Sequence, residues 1–359
     1  MLINNKYYRT IWFDKELNVV KIIDQTKLPF SLDIISLTNL NEVVIAIKTM
    51  QVRGAPLIGA TAAYGIYLAY RELKDKSKIN EAALIIKSTR PTAINLFWAV
   101  DRMLSKIIEN LSENSIEENL LKEANKICED DIEKCKSIGK RGLKLIEKIH
   151  KIKGKVNILT HCNAGWLATI DWGTATAPIY YAKKNKLNIH VWVDETRPRN
   201  QGASLTSYEL NNEGVENTII TDNAAGILMQ RGLIDLCIVG ADRVIVSGDV
   251  VNKIGTFLKA LVAKEFKIPF YVAIPLSTID WKTKHFKDII IEERNADELR
   301  KVTGLDENNE LRKIDIYPNQ SKAYNPAFDI TPKKLITKLI TDRGILNANK
   351  NQILKLKNE

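Results

Sequence analysis

The spacing of apolar residues along the 359-residue chain changes character near residue 155. Before that point a short strand-like start (7–23) gives way to apolar positions at helical intervals. EVVIAIKTM (42–50) leads into QVRGAPLIGATAAYGIYLAYREL (51–73), whose small residues suit close helix packing. Further helices are predicted over NEAALIIKS (80–88), NLFWAVDRMLSKIIEN (95–110) and a long amphipathic stretch at 115–150. Ile127, Ile132, Ile138, Leu143 and Ile146 mark the buried side of that last helix.

From residue 155 short apolar runs alternate with helical ones. VNILTHC (156–162) precedes a Gly-containing turn and the helix TATAPIYYAKKN (174–185). NIHVWVDE (188–195) precedes GASLTSYELNNEG (202–214), and NTIITDN (217–223) precedes AAGILMQRG (224–232). LIDLCIVGADRV (233–244) reads as a fourth strand, NKIGTFLKALVAKEF (252–266) as its helix and PFYVAIP (269–275) as a fifth strand. Strands and helices alternating at this length predict a parallel sheet with right-handed crossovers and helices on both faces. The expected organisation is a mainly helical N-terminal cap domain (1–150), an α/β catalytic domain (151–345) and a solvent-exposed tail (346–359). No GxGxxG follows the first strand, which argues against a dinucleotide-binding enzyme.

Composition narrows the class. A hydrophobic fraction of 45% and a charged fraction of 27% belong to a globular protein. No run of about 18 apolar residues predicts a membrane span, and the charged start lacks the apolar region of a signal peptide. A cytoplasmic location is expected. The four cysteines, Cys128, Cys135, Cys162 and Cys237, form no CxxC pair. Cys128 and Cys135, seven apart, are expected to fill core on one helix face. With four histidines and no HxxxH or CxxC cluster, no metal site is expected. The net charge of +10 raises the question of nucleic acid. The lysines are interleaved with Glu and Asp, however, so a solvated surface that attracts small anions is the expectation, with no nucleic-acid partner.

In an open parallel sheet, ligands bind beyond the carboxyl ends of the strands. After the first strand stand Thr160, His161, Cys162, Asn163, Ala164 and Gly165. After the second come Asp194 to Pro198, then Arg199, Asn200, Gln201 and Gly202. After the fourth come Gly240, Ala241, Asp242 and Arg243, with Asn252 and Lys253 ahead of the next helix. Each has a bland alternative. Cys162 could be a small buried hydrophobe, although a strand end before a helix allows a lowered thiol pKa. Asp242 could cap a turn, and Asp194 could orient Arg197 or cap the next helix. Arg53 before Gly54-Ala55-Pro56, and Arg90 before Pro91-Thr92, each precede a predicted helix start, where free N–H groups favour anions. Singly they read as surface charges; with Lys253 they make a phosphate site.

Six ordered blocks across nearly the whole chain carry a resemblance: RGAPLIGATAAYG (53–65), TRPTAINLFWAVDRM (89–103), THCNAGWLATIDWGTATAPI (160–179), DETRPRNQGASLTSYEL (194–210), GADRVIVSGDVVNKIGT (240–256) and NPAFDITP (325–332). Together they resemble the methylthioribose-1-phosphate isomerase family of methionine salvage. Several blocks are shared with ribose-1,5-bisphosphate isomerases and with regulatory subunits of the translation-initiation exchange factor. NLFWAVDRM and NPAFDITP look like the methylthioribose branch. The resemblance implies a helical domain capping a Rossmann-like domain, and a homodimer without cofactor or metal. It implies catalysis by Cys162 and Asp242, and substrate contacts from Arg53, Gly54, Ala55, Arg90, Gln201, Asn252 and Lys253. Phe97 and Trp98 are expected either to shelter the methylthio group or to pack in the core.

Overall fold

The computed structural model describes residues 1–108 and 113–357. After an N-terminal hairpin, strands Ile11–Asp14, Val19–Ile23 and Ile34–Leu37 form an antiparallel sheet, the last of them beyond the strand-like start at 7–23. Helices follow at Leu40–Lys48 (α1), Ala55–Leu73 (α2), Lys76–Thr89 (α3), Ile94–Ile108 (α4) and Glu113–Lys153 (α5). The predicted ending of α4 at Glu109 and Asn110 lies outside the described residues. The middle of α2 is buried on all sides, as its all-round apolar and small sequence requires.

The second half holds a seven-stranded sheet. Its parallel strands in chain order are Val156–Thr160, Ile189–Asp194, Asn217–Ile220, Leu236–Val239, Phe270–Ile274 and Lys338–Thr341. Across the sheet they run 3-2-1-4-5-6, and Ile345–Leu346 adds an antiparallel edge. This is the doubly wound order, reversing between the first strand and the fourth. Helices Ala177–Lys184 (α6), Ser207–Asn212 (α7), Ala224–Gln230 (α8) and Thr256–Glu265 (α9) cover it. Alternation along each strand divides the faces. Ile158, Val191, Ile238 and Ala273 join the core of the helical half, with α6 and α7. Leu159, Cys237, Val239 and Val272 point the other way, into a core shared with α8 and α9. Among the described residues no helix is long and apolar enough to cross a membrane.

Two expectations need correction. The run LIDLCIVGADRV is not one strand. It leaves the parallel sheet after Val239, and Arg243–Ile245 opens a second sheet with Val250–Lys253, Phe328–Thr331 and Ile279–Asp280. The Asp242 N–H already donates to the Val251 carbonyl at 3.0 Å, so Asp242 starts the hairpin rather than ending the strand. Nor is the tail exposed throughout: Asn349 caps a terminal helix, Lys350–Lys355 (α10), and Leu346, Ala348, Ile353 and Leu356 are buried beside α8 and α9, while Lys350, Asn351 and Lys355 face solvent. Apolar residues spaced at 353 and 356 give this helix a face to bury. The last two residues of the expected tail lie outside the described residues.

Candidate functional site

The switch point of the sheet lies between the first and fourth strands, and Cys162 and Asp242 follow those two strands. Both line one cavity, roofed by the N-terminus of α2 and the end of α3. Arg53, Gly54, Ala55, Arg90, Gln201, Asn252 and Lys253 line the same cavity. Every catalytic and substrate-contact residue that the resemblance implied is therefore brought together. Phe97 and Trp98 are not: they face a separate groove beside Trp281 and Leu276. Cavity walls of low polarity come instead from Met50, Ile58, Ala168, Pro275 and Phe328.

Local geometry explains why these residue types stand here. Gly54 ends the approach to α2 at φ +91, and a Cβ there would meet the Ala168 carbonyl oxygen at 2.4 Å. Only glycine lets Arg53 lie this close to the loop after the first strand. The Arg53 guanidinium then donates to the side-chain and main-chain oxygens of Asn163. Asn163 in turn donates to Glu209 at 2.9 Å, and Glu209 also accepts from the Trp166 and Leu167 N–H groups and the Tyr180 hydroxyl. Arg90 reaches Glu292 at 3.4 Å. The Lys253 ammonium stands over the Phe328 ring, 4.8 Å from its centroid, where strand register sets the two residues opposite one another. Asn252 donates to the Thr256 hydroxyl at 3.0 Å. Two buried polar atoms here, Arg90 Nε and Gln201 Oε1, have no protein partner among the described residues. Such atoms are unusual in a core and usual in a binding site.

Charge in the cavity is set by burial against three cations. Burial pushes the Asp242 carboxyl up, with Lys253, Arg90 and Arg53 pulling it back. The Cys162 thiol is also raised by burial, and Arg53 and Lys253 oppose that rise. The lowered thiol pKa allowed by the sequence is therefore not what the structure shows: Cys162 precedes a short 3₁₀ turn, and α6 begins only at Ala177. Burial lowers Lys253 and Arg53, while Cys162 and Asp242 favour their charged forms.

Other strand-end residues take supporting places. Asp194 neither orients Arg197 nor caps a helix; it is buried against His161 at 2.9 Å and Lys259 at 3.5 Å. Arg197 donates to the Pro198 and Leu299 carbonyls. Arg243 turns from the cavity to Asp280 and the Thr92 carbonyl. Glu209 was missed by sequence reasoning, although a charge four residues after Leu205, on the face that also buries Thr206, was its signal. Among the described residues, His161, Asp194 and Asp222 gather closely enough to hold a cation. Both imidazole nitrogens and both Asp222 oxygens already have protein partners, and the Lys259 ammonium lies beside Asp194. The donor set does not fit a metal.

Comparison with known proteins adds a further finding. The Initiation factor 2 subunit family pattern matches residues 51–348. The methylthioribose-1-phosphate isomerase of Methylorubrum extorquens is 50% identical, over 99% of this chain and 98% of its own. That of Gluconobacter oxydans is also 50% identical, over 97% and 96%. The crystal structure of 5-methylthioribose 1-phosphate isomerase from Pyrococcus horikoshii superposes with a TM-score of 0.84 at 39% identity, covering 98% of this chain and 96% of that one. That of the translation initiation factor eIF-2B subunit delta from A. fulgidus gives 0.80 at 41%, covering 97% and 100%.

Proposed function

The chain belongs to the methylthioribose-1-phosphate isomerases within the initiation factor 2 subunit family, and we propose that it acts as a cytoplasmic homodimer through Cys162 and Asp242. Its reaction is the isomerisation of 5-methylthioribose 1-phosphate to 5-methylthioribulose 1-phosphate in methionine salvage. The observation that carries the assignment of residues is the meeting of Cys162, Asp242 and three cationic side chains in one cavity at the switch point.

Phosphate on the anomeric oxygen prevents the ring from opening as a free sugar does. An acid must protonate the ring oxygen as its bond to C1 breaks. Asp242 takes that role, because burial raises its carboxyl and keeps a proton available nearer neutral pH. Hydrogen then moves from C2 to C1. In one route the Cys162 thiolate removes the C2 proton, an enol forms across C1 and C2, and C1 is reprotonated while the C2 hydroxyl becomes the ketone. In the other, hydride passes directly from C2 to C1 and Cys162 stabilises the cationic transition state. Solvent deuterium at C1 marks the first route; complete retention of a C2 deuterium label marks the second. Arg53, Arg90 and Lys253 hold the phosphate, and Gln201 and Asn252 the hydroxyls. Gly54 and Ala55 bring the α2 N-terminus against the substrate. Water exclusion by the buried cavity protects the intermediate from loss of phosphate.

The deciding experiment is a proton NMR time course with protein from the soluble cell fraction and methylthioribose 1-phosphate, without added metal or nucleotide. Loss of the anomeric signal with a ketose product is expected. No change beside an active control enzyme overturns the reading. Turnover of ribose 1,5-bisphosphate would then select the related isomerase, and copurification of an initiation factor the regulatory subunit.

A further inference from the structure

His161 stands one residue before Cys162 and is 1% exposed. Its Nδ1 lies 2.9 Å from Asp194 Oδ2, and its Nε2 lies 2.8 Å from the Ile254 main-chain oxygen. A carbonyl oxygen only accepts, so Nε2 carries a hydrogen and donates it. Ile254 directly follows Lys253. The imidazole therefore bridges the segments that carry Cys162 and Lys253, which belong to different sheets with no ladder between them.

The bridge is held from both sides. Asp194 is fully buried and keeps the Lys259 ammonium at 3.5 Å. Lys259 lies on α9, whose first turn is capped by Asp329 through the Gly255 and Phe257 N–H groups. Gly255 adopts φ +103, and a Cβ there would stand 3.0 Å from His161 Cε1 and 3.1 Å from Nε2. The backbone after Lys253 is thus pressed against the imidazole as well as hydrogen-bonded to it.

We propose that His161 is a positioning residue for the isomerisation, its Nε2–H bond to the Ile254 carbonyl setting the Lys253 ammonium against the Cys162 thiol. The proposal rests on the roles given above to Cys162 and Lys253. Arg53, Lys253 and Asp242 are the charged groups facing this thiol; the two cations favour its ionisation against burial and the Asp242 carboxylate. A Lys253 free to drift leaves a thiol that ionises less readily and a phosphate site short of one cation.

Glutamine places its amide nitrogen where Nε2 stands, and asparagine where Nδ1 stands. H161Q therefore keeps the bond to Ile254, and H161N keeps only the bond to Asp194. For H161N we expect kcat to fall by about 10- to 100-fold, the scale of a small misplacement, with KM raised. Alkylation of Cys162 by iodoacetamide, followed by mass spectrometry, should slow and its pH midpoint move upward. H161Q should stay within about threefold of wild type in kcat, KM and alkylation rate. G255A, which crowds the imidazole without removing it, should follow H161N and stands in for it if H161N does not fold. Equal losses in H161Q and H161N, or wild-type alkylation in H161N and G255A, overturn the proposal. A wild-type protein that is alkylated yet turns over no substrate overturns the isomerase reading instead, and the alkylation comparison still decides the positioning role.

Discussion

Cys162 has φ +64, a left-handed backbone that a side chain other than glycine rarely adopts. Its N–H donates to the Thr196 hydroxyl at 2.8 Å, and its carbonyl accepts from the Thr206 hydroxyl at 2.7 Å. Those two bonds offset a conformational cost of about 1–3 kcal/mol and aim the thiol into the cavity. The consequence for catalysis concerns protons. Asp242 must carry one and Cys162, in the proton-transfer route, must lack one, although burial raises both. The reactive form thus carries a single proton between the two groups. At low pH both are protonated, and at high pH both are ionised. We therefore predict a bell-shaped dependence of kcat/KM on pH, rising past the lower apparent pKa of the pair and falling past the upper. C162S and D242N should each lose about 10²–10⁴-fold in kcat with little change in substrate binding measured by calorimetry. Near-normal turnover in either variant, or a flat profile between pH 5 and 10, would contradict the assignment. That the pair would meet was legible in the sequence because each residue follows a strand of the parallel sheet, Thr160 ending one and Val239 the other. Of their supports only Thr196 stood among the strand-end residues; Thr206, Glu209 and Ile254 reach the site only through folding over intervals of tens of residues.

At the scale of elements, α5 shows how a helix packed against both halves accommodates an acid. Asp131 faces inward, 7% exposed, and accepts the Ile170 N–H at 3.2 Å. Burial pushes its carboxyl from the ordinary 3.8 up to about 7. Between those values the folded state keeps a proton that the unfolded chain has released, so stability from this group is complete below the lower value and is lost as pH rises to the upper. D131N cannot ionise. Its melting temperature relative to wild type should therefore increase between pH 5 and pH 8, by roughly 2–4 °C or more. A difference that stays constant with pH would refute the assigned cause. Periodicity revealed α5 well, because its buried face, from Ile116 through Ile127 and Ile138 to Ile146, is long enough to repeat. It failed where an element stops within an apolar run, as at Gly240–Asp242, and where a short terminal helix looked polar in isolation. There the deciding contacts are a hairpin bond to Val251 and a core patch beneath Ile353, both tertiary.

For the whole molecule, the cavity takes Arg53 and Arg90 from the helical half and Cys162, Asp242 and Lys253 from the sheet half. Such a site needs the halves held in fixed relation, and the packing supplies it. One core runs without interruption from Ile3 through Tyr64 and Ile138 to Ile158, Ile238 and Ile340. The α5 helix lies against α6 and the strand Lys338–Thr341, so it buries surface for both halves. Neither half could unfold alone without exposing the apolar surface that the other covers, which costs about 25 cal/mol for each Å². Calorimetry of the intact chain should consequently show one cooperative transition, and D131N should shift that whole transition rather than a part of it. If the protein is a homodimer, the midpoint should also rise with protein concentration, because unfolding then separates two chains. A midpoint independent of concentration would count against the dimer. Two resolved transitions would show that the halves are separate cooperative units, and that the cavity between them is held by its charged contacts rather than by a shared core.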